Sequence, residues 1–360
     1  MMENIFIEHL GFDLDQLFLE FENKRFNFDF IDEFEHRIAR FIGTKYALVT
    51  SSGTAALTLS LKSLNCDKNS EIIVPACTFP ATVNPVAHIG AKPIFIDIEI
   101  ETYSLEYSLI ENKINKQTKA IILVHQFGFP AKYTNEIVQI GKVHNIPVIE
   151  DVARSFGATI SESKCGSLGL FGCFSFNSMK VLSTATGGAI TTNDEQLYLK
   201  CKTLRGYGDV NKVFIEAGYN FNIGQFNAFI GILRMNKLEK NIEQRRFLAR
   251  LLNYELSHIP NISLPKYNSD YVYQSFPIIL KNKSERNDFI SFLKQKNIKA
   301  YINQVVNCEP YFSNVGVISD NFPNSHFVNE HIVCLHWSHL FDQSFINYIS
   351  QSISIFFNGK

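Results

Sequence analysis

The 360-residue chain carries 34 Lys and Arg against 35 Asp and Glu, a formal net charge of −1. That length holds two domains, or one large and one small, around a substantial core. The balanced charge excludes nucleic-acid binding through a general basic field, and no apolar run reaches the length of a membrane span.

The first residues, Met1 to Glu8, carry acids and lack a basic segment followed by an apolar one, so no signal peptide is expected. The cysteines (Cys66, Cys77, Cys165, Cys173, Cys201, Cys308 and Cys334) are scattered, with no C-x-x-C pair for zinc or redox work. They read as free thiols in a reducing cytoplasm.

From Lys45 onward strand-like and helix-like stretches alternate. Tyr46 to Thr50 reads as a buried strand, and Ser51-Ser52-Gly53-Thr54 then turns into a helix with Leu57, Leu61 and Leu64 on one face. Further strands are expected at Glu71–Val74, Pro93–Asp97, Ala120–Val124 and Pro147–Asp151, with helices between them such as Tyr133 to His144. Apolar strands separated by helices indicate a mostly parallel sheet covered on both faces.

Near Asn236 the texture changes. A charged helical run, Lys237 to Asn253, leads to Ile259-Pro260 and Leu264-Pro265, where helices end. Tyr271 to Leu280 alternates like a strand, Lys283 to Asn297 looks helical, and Ser344 to Phe357 reads as an amphipathic helix. The expected division is therefore a large α/β domain over 1–254 and a smaller α+β domain over 255–360.

Four segments sit where a strand of the large domain meets a loop or helix, the edge at which open α/β sheets bind ligands. In Ser51-Ser52-Gly53-Thr54-Ala55-Ala56, small residues opening a helix leave N–H groups free, which suits a phosphate; an ordinary Ser or Thr cap explains the same pattern. Asp151 ends an apolar strand, so its carboxylate must cap a helix, pair with a cation or face a ligand. Lys180 follows the short strand Phe174-Ser175-Phe176 and precedes a run of small residues, Ser183 to Gly188; a surface lysine is the bland alternative. Gly218 to Asn222 is a polar loop before an apolar helix, which is also an ordinary way to start one. Together, a phosphate cradle, a carboxylate and a lysine match what pyridoxal phosphate needs: a grip on its phosphate, an anion beside its ring nitrogen and an amine for its aldehyde.

With these residues in view, the chain resembles the DegT/DnrJ/EryC1/StrS family of sugar aminotransferases, of the aspartate-aminotransferase fold (fold type I). The matching segments run in order: Gly43 to Ala47, Ser52 to Leu57, Pro75 to Phe79, Val124 to Pro130, Ile149 to Ala153, Phe174 to Lys180, Gly187 to Ala189 and Gly218 to Phe221. The resemblance implies a large domain with a mostly parallel seven-stranded sheet between helices. It also implies site roles. Lys180 would hold the cofactor aldehyde and Asp151 would pair with the pyridinium nitrogen. Phe79 and Ala153 would cover the two ring faces, and Gly53, Thr54, Ala55 and Ser175 would hold the phosphate. Asn220 would reach the phosphate of the neighbouring subunit, making a homodimer with shared sites. Arg154 stands where the family usually has a glutamine near the ring 3-hydroxyl.

The implied reaction uses pyridoxal phosphate, with pyridoxamine phosphate between its halves, to move an amino group from L-glutamate to a keto group of a nucleotide-linked deoxysugar. Polysaccharide or glycoconjugate synthesis is the family's common setting. Two departures stand out: Ala185-Thr186-Gly187-Gly188 where Gly-Glu-Gly-Gly is common, and Asn222 where an arginine often follows the loop asparagine. The rival readings are a sugar dehydratase of the same family, a cysteine desulfurase or lyase of the same fold, and a non-catalytic scaffold. Dehydratases carry histidine at the lysine position, so Lys180 speaks against the first. An intact Lys180, Asp151 and Ser175 set speaks against the last.

Overall fold

The computed structural model describes residues 14–25, 28–302 and 322–358. Met1 to Glu8 and Cys308 lie outside them. The six other cysteines are buried free thiols.

Seven strands form the main sheet: β1 (Tyr46–Thr50), β2 (Glu71–Pro75), β3 (Lys92–Ile96), β4 (Thr118–Val124) and β5 (Val148–Asp151), then, after a small hairpin of β6 (Thr159–Ile160) and β7 (Ser163–Lys164), β8 (Phe171–Ser175) and β9 (Gly188–Thr192). Their order is β1-β9-β8-β5-β4-β2-β3. All neighbours are parallel except those of β9, which runs against both β1 and β8. Alternate residues of the strands feed two cores. Ile72, Val74, Ala120 and Ile122 pack on one face, and Ile73, Ile121 and Leu123 on the other. Burial on both sides is why these strands are near-continuous apolar runs.

The helix Phe30–Ile42 opens at Asp29, whose carboxylate accepts from the Ile31 and Asp32 N–H groups, and closes on Gly43 at φ 86°. Its Phe34 is fully buried against Phe176, with ring centroids 5.4 Å apart. Burial of a side chain this size contributes about 2–3 kcal/mol. The helix Gln225–Met235 packs there only because residue 231 is glycine: a Cβ would lie 2.4 Å from Phe34 Cζ. This packing fixes the loop after β8, which carries Lys180.

After a second hairpin, β10 (Asp209–Val210) and β11 (Val213–Phe214), the long helix Leu238–Leu256 leads away from the main sheet. Its Leu238 and Ile242 belong to the core under Phe34, whereas Leu248, Leu252 and Leu256 belong to the core of a second, antiparallel sheet. That sheet has the order β12-β13-β15-β14, built from Ile262–Ser263, Ser275–Leu280, Ile332–His336 and Ala300–Tyr301. The helix Gln343–Asn358 contributes Ile346, Ile349 and Ile353 to the same core.

One expected strand begins late. Tyr271 to Gln274 do not join β13, because their backbone bonds go elsewhere: Val272 N–H donates to Gly128 O at 2.8 Å, and Ser275 N–H to Phe127 O at 3.2 Å. Tyr273 turns to φ 46° and Tyr271 stacks on Phe129 at 4.4 Å. Residues 271–274 thereby bind the second sheet to the loop after β4. The expected helix at Lys283 opens as a 3₁₀ turn, and its α-helical part is Arg286–Gln295.

Candidate active site

At the carboxyl end of the parallel strands lies a cavity of about 380 Å³, within the roughly 300–1,000 Å³ usual for small-molecule sites. The helix Gly53–Ser63 points its N-terminus at it, and Gly53 and Thr54 line it. The first N–H groups of a helix have no intrahelical acceptor, and the dipole adds partial positive charge there. Ser52 caps this helix and its Oγ takes the Ala55 N–H at 3.1 Å. Ala55 is buried outside the cavity wall, so its N–H is spent on the cap. Gly53 must be glycine, since a Cβ would lie 2.9 Å from Ser175 Cβ and 3.2 Å from Phe174 O. The helix start and the end of β8 are thus pressed together, and Ser175 lines the cavity beside Gly53 and Thr54.

Asp151, at the end of β5, is 4% exposed. Its Oδ2 accepts from Thr82 Oγ1 at 2.8 Å and its Oδ1 from Ala153 N–H at 3.0 Å. Thr82 in turn bonds Thr78 Oγ1 at 2.9 Å. Asp151 forms no ion pair among the described residues, so a buried anion is left facing the cavity. Glu150, next to it, is different. Its oxygens are taken by the N–H groups of Gly166, Leu168 and Gly169 and by His125 Nε2 at 3.0 Å. Ala131 N–H donates to His125 Nδ1, which places the ring proton on Nε2 and leaves a neutral histidine. Glu150 braces the loop after β7, and Asp151 alone serves the cavity.

Lys180 stands on the loop after β8. Phe176 N–H to Gly187 O (2.8 Å), Thr184 N–H to Phe176 O (2.8 Å) and Lys180 N–H to Asn177 O (2.9 Å) fold that loop back on itself. Asn227, Arg234 and Gln274 hold its carbonyls at Thr184, Ser183 and Met179. The Lys180 side chain lines the cavity, and burial above all, then the nearby Arg154 guanidinium, push its amine down to about 7 against the upward pull of Asp151. A lysine so placed is a ready nucleophile near neutral pH.

The cavity therefore gathers Gly53, Thr54, Phe79, Asp151, Ala153, Arg154, Ser175 and Lys180. Asn220 is not among them. It is exposed, bridged to Gly206 and in contact with Asn222 Nδ2 at 3.4 Å. The donor set fits pyridoxal phosphate: a glycine-dependent anion cradle, a buried carboxylate without an ion pair among the described residues, and a deprotonatable amine share one cavity.

The model of the DegT/DnrJ/EryC1/StrS aminotransferase family matches residues 22–354. The chain belongs to this family. This DegT-family aminotransferase is 32% identical over 311 residues to the dTDP-3-amino-3,6-dideoxy-alpha-D-galactopyranose transaminase of Aneurinibacillus thermoaerophilus, a match covering 85% of this chain and 84% of that one. It is also 32% identical over 274 residues to the GDP-perosamine synthase of Escherichia coli O157:H7, covering 75% of each. The solved structure of NtdA from Bacillus subtilis with bound cofactor PMP superposes with a TM-score of 0.83 at 26% identity, over 90% of this chain and 76% of that one. The fold is type I of the pyridoxal-phosphate enzymes, as the resemblance implied.

Sequence reasoning gave no role to Thr82, Thr78 or Gln126. Thr82 lies 69 residues from the carboxylate it bonds, and a threonine in a helix carries no local mark of such a partner. Gln126 Nε2 donates to Cys77 O at 3.0 Å and thereby holds the loop that presents Phe79, which is 46% exposed at the cavity wall.

Proposed function

We propose that this aminotransferase works with pyridoxal phosphate and moves the amino group of L-glutamate to a keto group of a nucleotide-linked deoxysugar. The observation that carries the reading is the convergence of Lys180, Asp151 and the start of the helix Gly53–Ser63 on one cavity. The sugar-nucleotide names of the two relatives support the substrate class. Polysaccharide or glycoconjugate synthesis in the cytoplasm is the setting we propose. Among the described residues no helix is long and apolar enough to cross a membrane.

Bound in the cavity, the cofactor supplies an electron sink for the pair left on the substrate carbon when its proton departs. The residues do the rest. Gly53 and Thr54 N–H groups and the Ser175 hydroxyl would hold the phosphate. Asp151, fixed by Thr82 and Ala153, would keep the ring nitrogen protonated. Phe79 and Ala153 would cover the ring faces. Lys180 Nζ takes the proton from the substrate carbon and returns it, a general acid–base contribution of typically about 10²–10⁴-fold.

The proposed homodimer completes the site through Asn220. Beside it the hairpin β10–β11 turns at Asn211 and Lys212, both at positive φ, and leaves Phe214 71% exposed with Val213 and Ile215. A bare apolar hairpin next to a polar loop suits a face covered by a second copy. Mixed Lys180→Ala and Asn220→Ala subunits should regain activity that neither has alone; activity no higher than the separate variants would refute the sharing. We also propose 1–254 and 255–360 as the two domains, supported by the separate antiparallel sheet of the second.

Incubation with glutamate and a panel of keto-sugar nucleotides, followed by product mass, tests the reading. One sugar should gain an amine. Failure of every ketone, in protein that carries the cofactor, would refute the substrate class.

A further inference from the structure

Of the charged side chains that line the cavity, Asp151 and Lys180 have been given roles and Arg154 has not. Its guanidinium carbon lies 5.5 Å from the centroid of the Phe127 ring. That ring is fully buried and its backbone sits at φ 55°, followed by Gly128 at φ 97°. Position 128 admits no side chain, since a Cβ would lie 2.4 Å from Gln274 N. A left-handed, tightly packed turn thus holds an aromatic face under the guanidinium, a strained arrangement of the kind stored at functional sites. From the second sheet Tyr301, its hydroxyl 2.5 Å from Ser275 Oγ, lies close enough to feel the charge of the guanidinium. Arg154 pairs with no carboxylate among the described residues. It is therefore a cation held over an aromatic ring, facing the cavity and in no ion pair with the described residues.

An amino acid that reacts at Lys180 brings a carboxylate one bond from the reacting carbon. Stripped of water, that carboxylate needs a cation with matching geometry, which a guanidinium fork supplies. The phosphate cradle lies on the helix start, and Asp151 repels a second anion. We propose that Arg154 binds the α-carboxylate of the amino donor. This rests on the aminotransferase reading above and adds a residue to it. Arg154 also helps to keep Lys180 neutral in the free site. A carboxylate bound to the guanidinium cancels that repulsion, so Lys180 becomes a stronger base at the moment it must take the α-proton.

The test compares cofactor-loaded wild type with Arg154→Gln and Arg154→Lys. Two readouts bear on it: the equilibrium affinity for 2-methyl-L-glutamate, which has no α-proton to lose, followed by the visible spectrum, and the preference for L-glutamate over 4-aminobutyrate, which lacks the α-carboxylate. Arg154→Gln should weaken 2-methylglutamate roughly 10- to 100-fold and erase the preference for glutamate, with the keto-sugar KM little changed. Arg154→Lys should recover part of the affinity. Retention of the visible band in both variants shows that they fold and load. Unchanged 2-methylglutamate affinity in a loaded Arg154→Gln enzyme would overturn the assignment and leave the aminotransferase reading intact. A shift only in the pH titration of the visible band would overturn it too, giving Arg154 to the ring 3-hydroxyl. A wild-type chain that loads no cofactor would sink both.

Discussion

The amine of Lys180 should titrate near 7 in the cofactor-free protein, against 10.5 for an ordinary lysine. Burial at the cavity wall is the larger cause and the Arg154 guanidinium the smaller. At pH 7.5 about three-quarters of the amine would then be neutral, compared with roughly 0.1% of a solvated lysine. Cofactor capture should follow the neutral fraction, rising through pH 7 and levelling above 8. The same depression has a consequence for folding. The unfolded chain keeps its proton up to about 10.5 while the folded chain has lost it above about 7, so the unfolded state binds more protons in between. Stability of the cofactor-free protein should therefore climb as pH rises from about 7 towards 10.5, by an amount on the order of 4–5 kcal/mol at most. Reductive methylation with ¹³C formaldehyde, followed by NMR as a function of pH, reads the amine directly, with Lys180→Ala identifying its signal. A midpoint near 10 would refute the reasoning that this lysine is held ready as a nucleophile.

Two further outcomes follow from neighbours of the site. Thr82→Val removes the hydroxyl that donates to Asp151 Oδ2; a hydrogen bond to a charged group contributes about 1.5–3 kcal/mol, so cofactor affinity by equilibrium dialysis should fall at least about tenfold, with Thr82→Ser near wild type. Unchanged affinity would show that Asp151 needs no such support. Ala185 sits at φ 68° in the loop after Lys180, and left-handed backbone costs a residue with a Cβ about 1–2 kcal/mol. Ala185→Gly should accordingly unfold at higher denaturant; a lower midpoint would contradict the strain.

Much of the fold was legible because parallel strands buried on both faces are apolar runs, as at Ala120–Val124 and Pro147–Asp151. What escaped was decided by distant partners. The late start of β13 comes from bonds between residues 272–275 and the loop at Phe127 and Gly128, which no local alternation could reveal. Ala55 shows the opposite problem: a helix start and a phosphate cradle share one sequence pattern, and the Ser52 cap claims the third N–H group. Thr82 escaped because a helical threonine looks alike whether it faces solvent or a buried carboxylate. Asn220 was expected at the site only through family resemblance, and within one chain it lies away from the cavity that this chain builds.

Borohydride reduction of the pyridoxal-phosphate-loaded protein, followed by peptide mass mapping, tests the central claim most directly. The account predicts one modified residue, Lys180, carrying the reduced cofactor, and no such peptide from Asp151→Ala protein at the same cofactor concentration. Label on another lysine, or none on the wild-type chain, would contradict it.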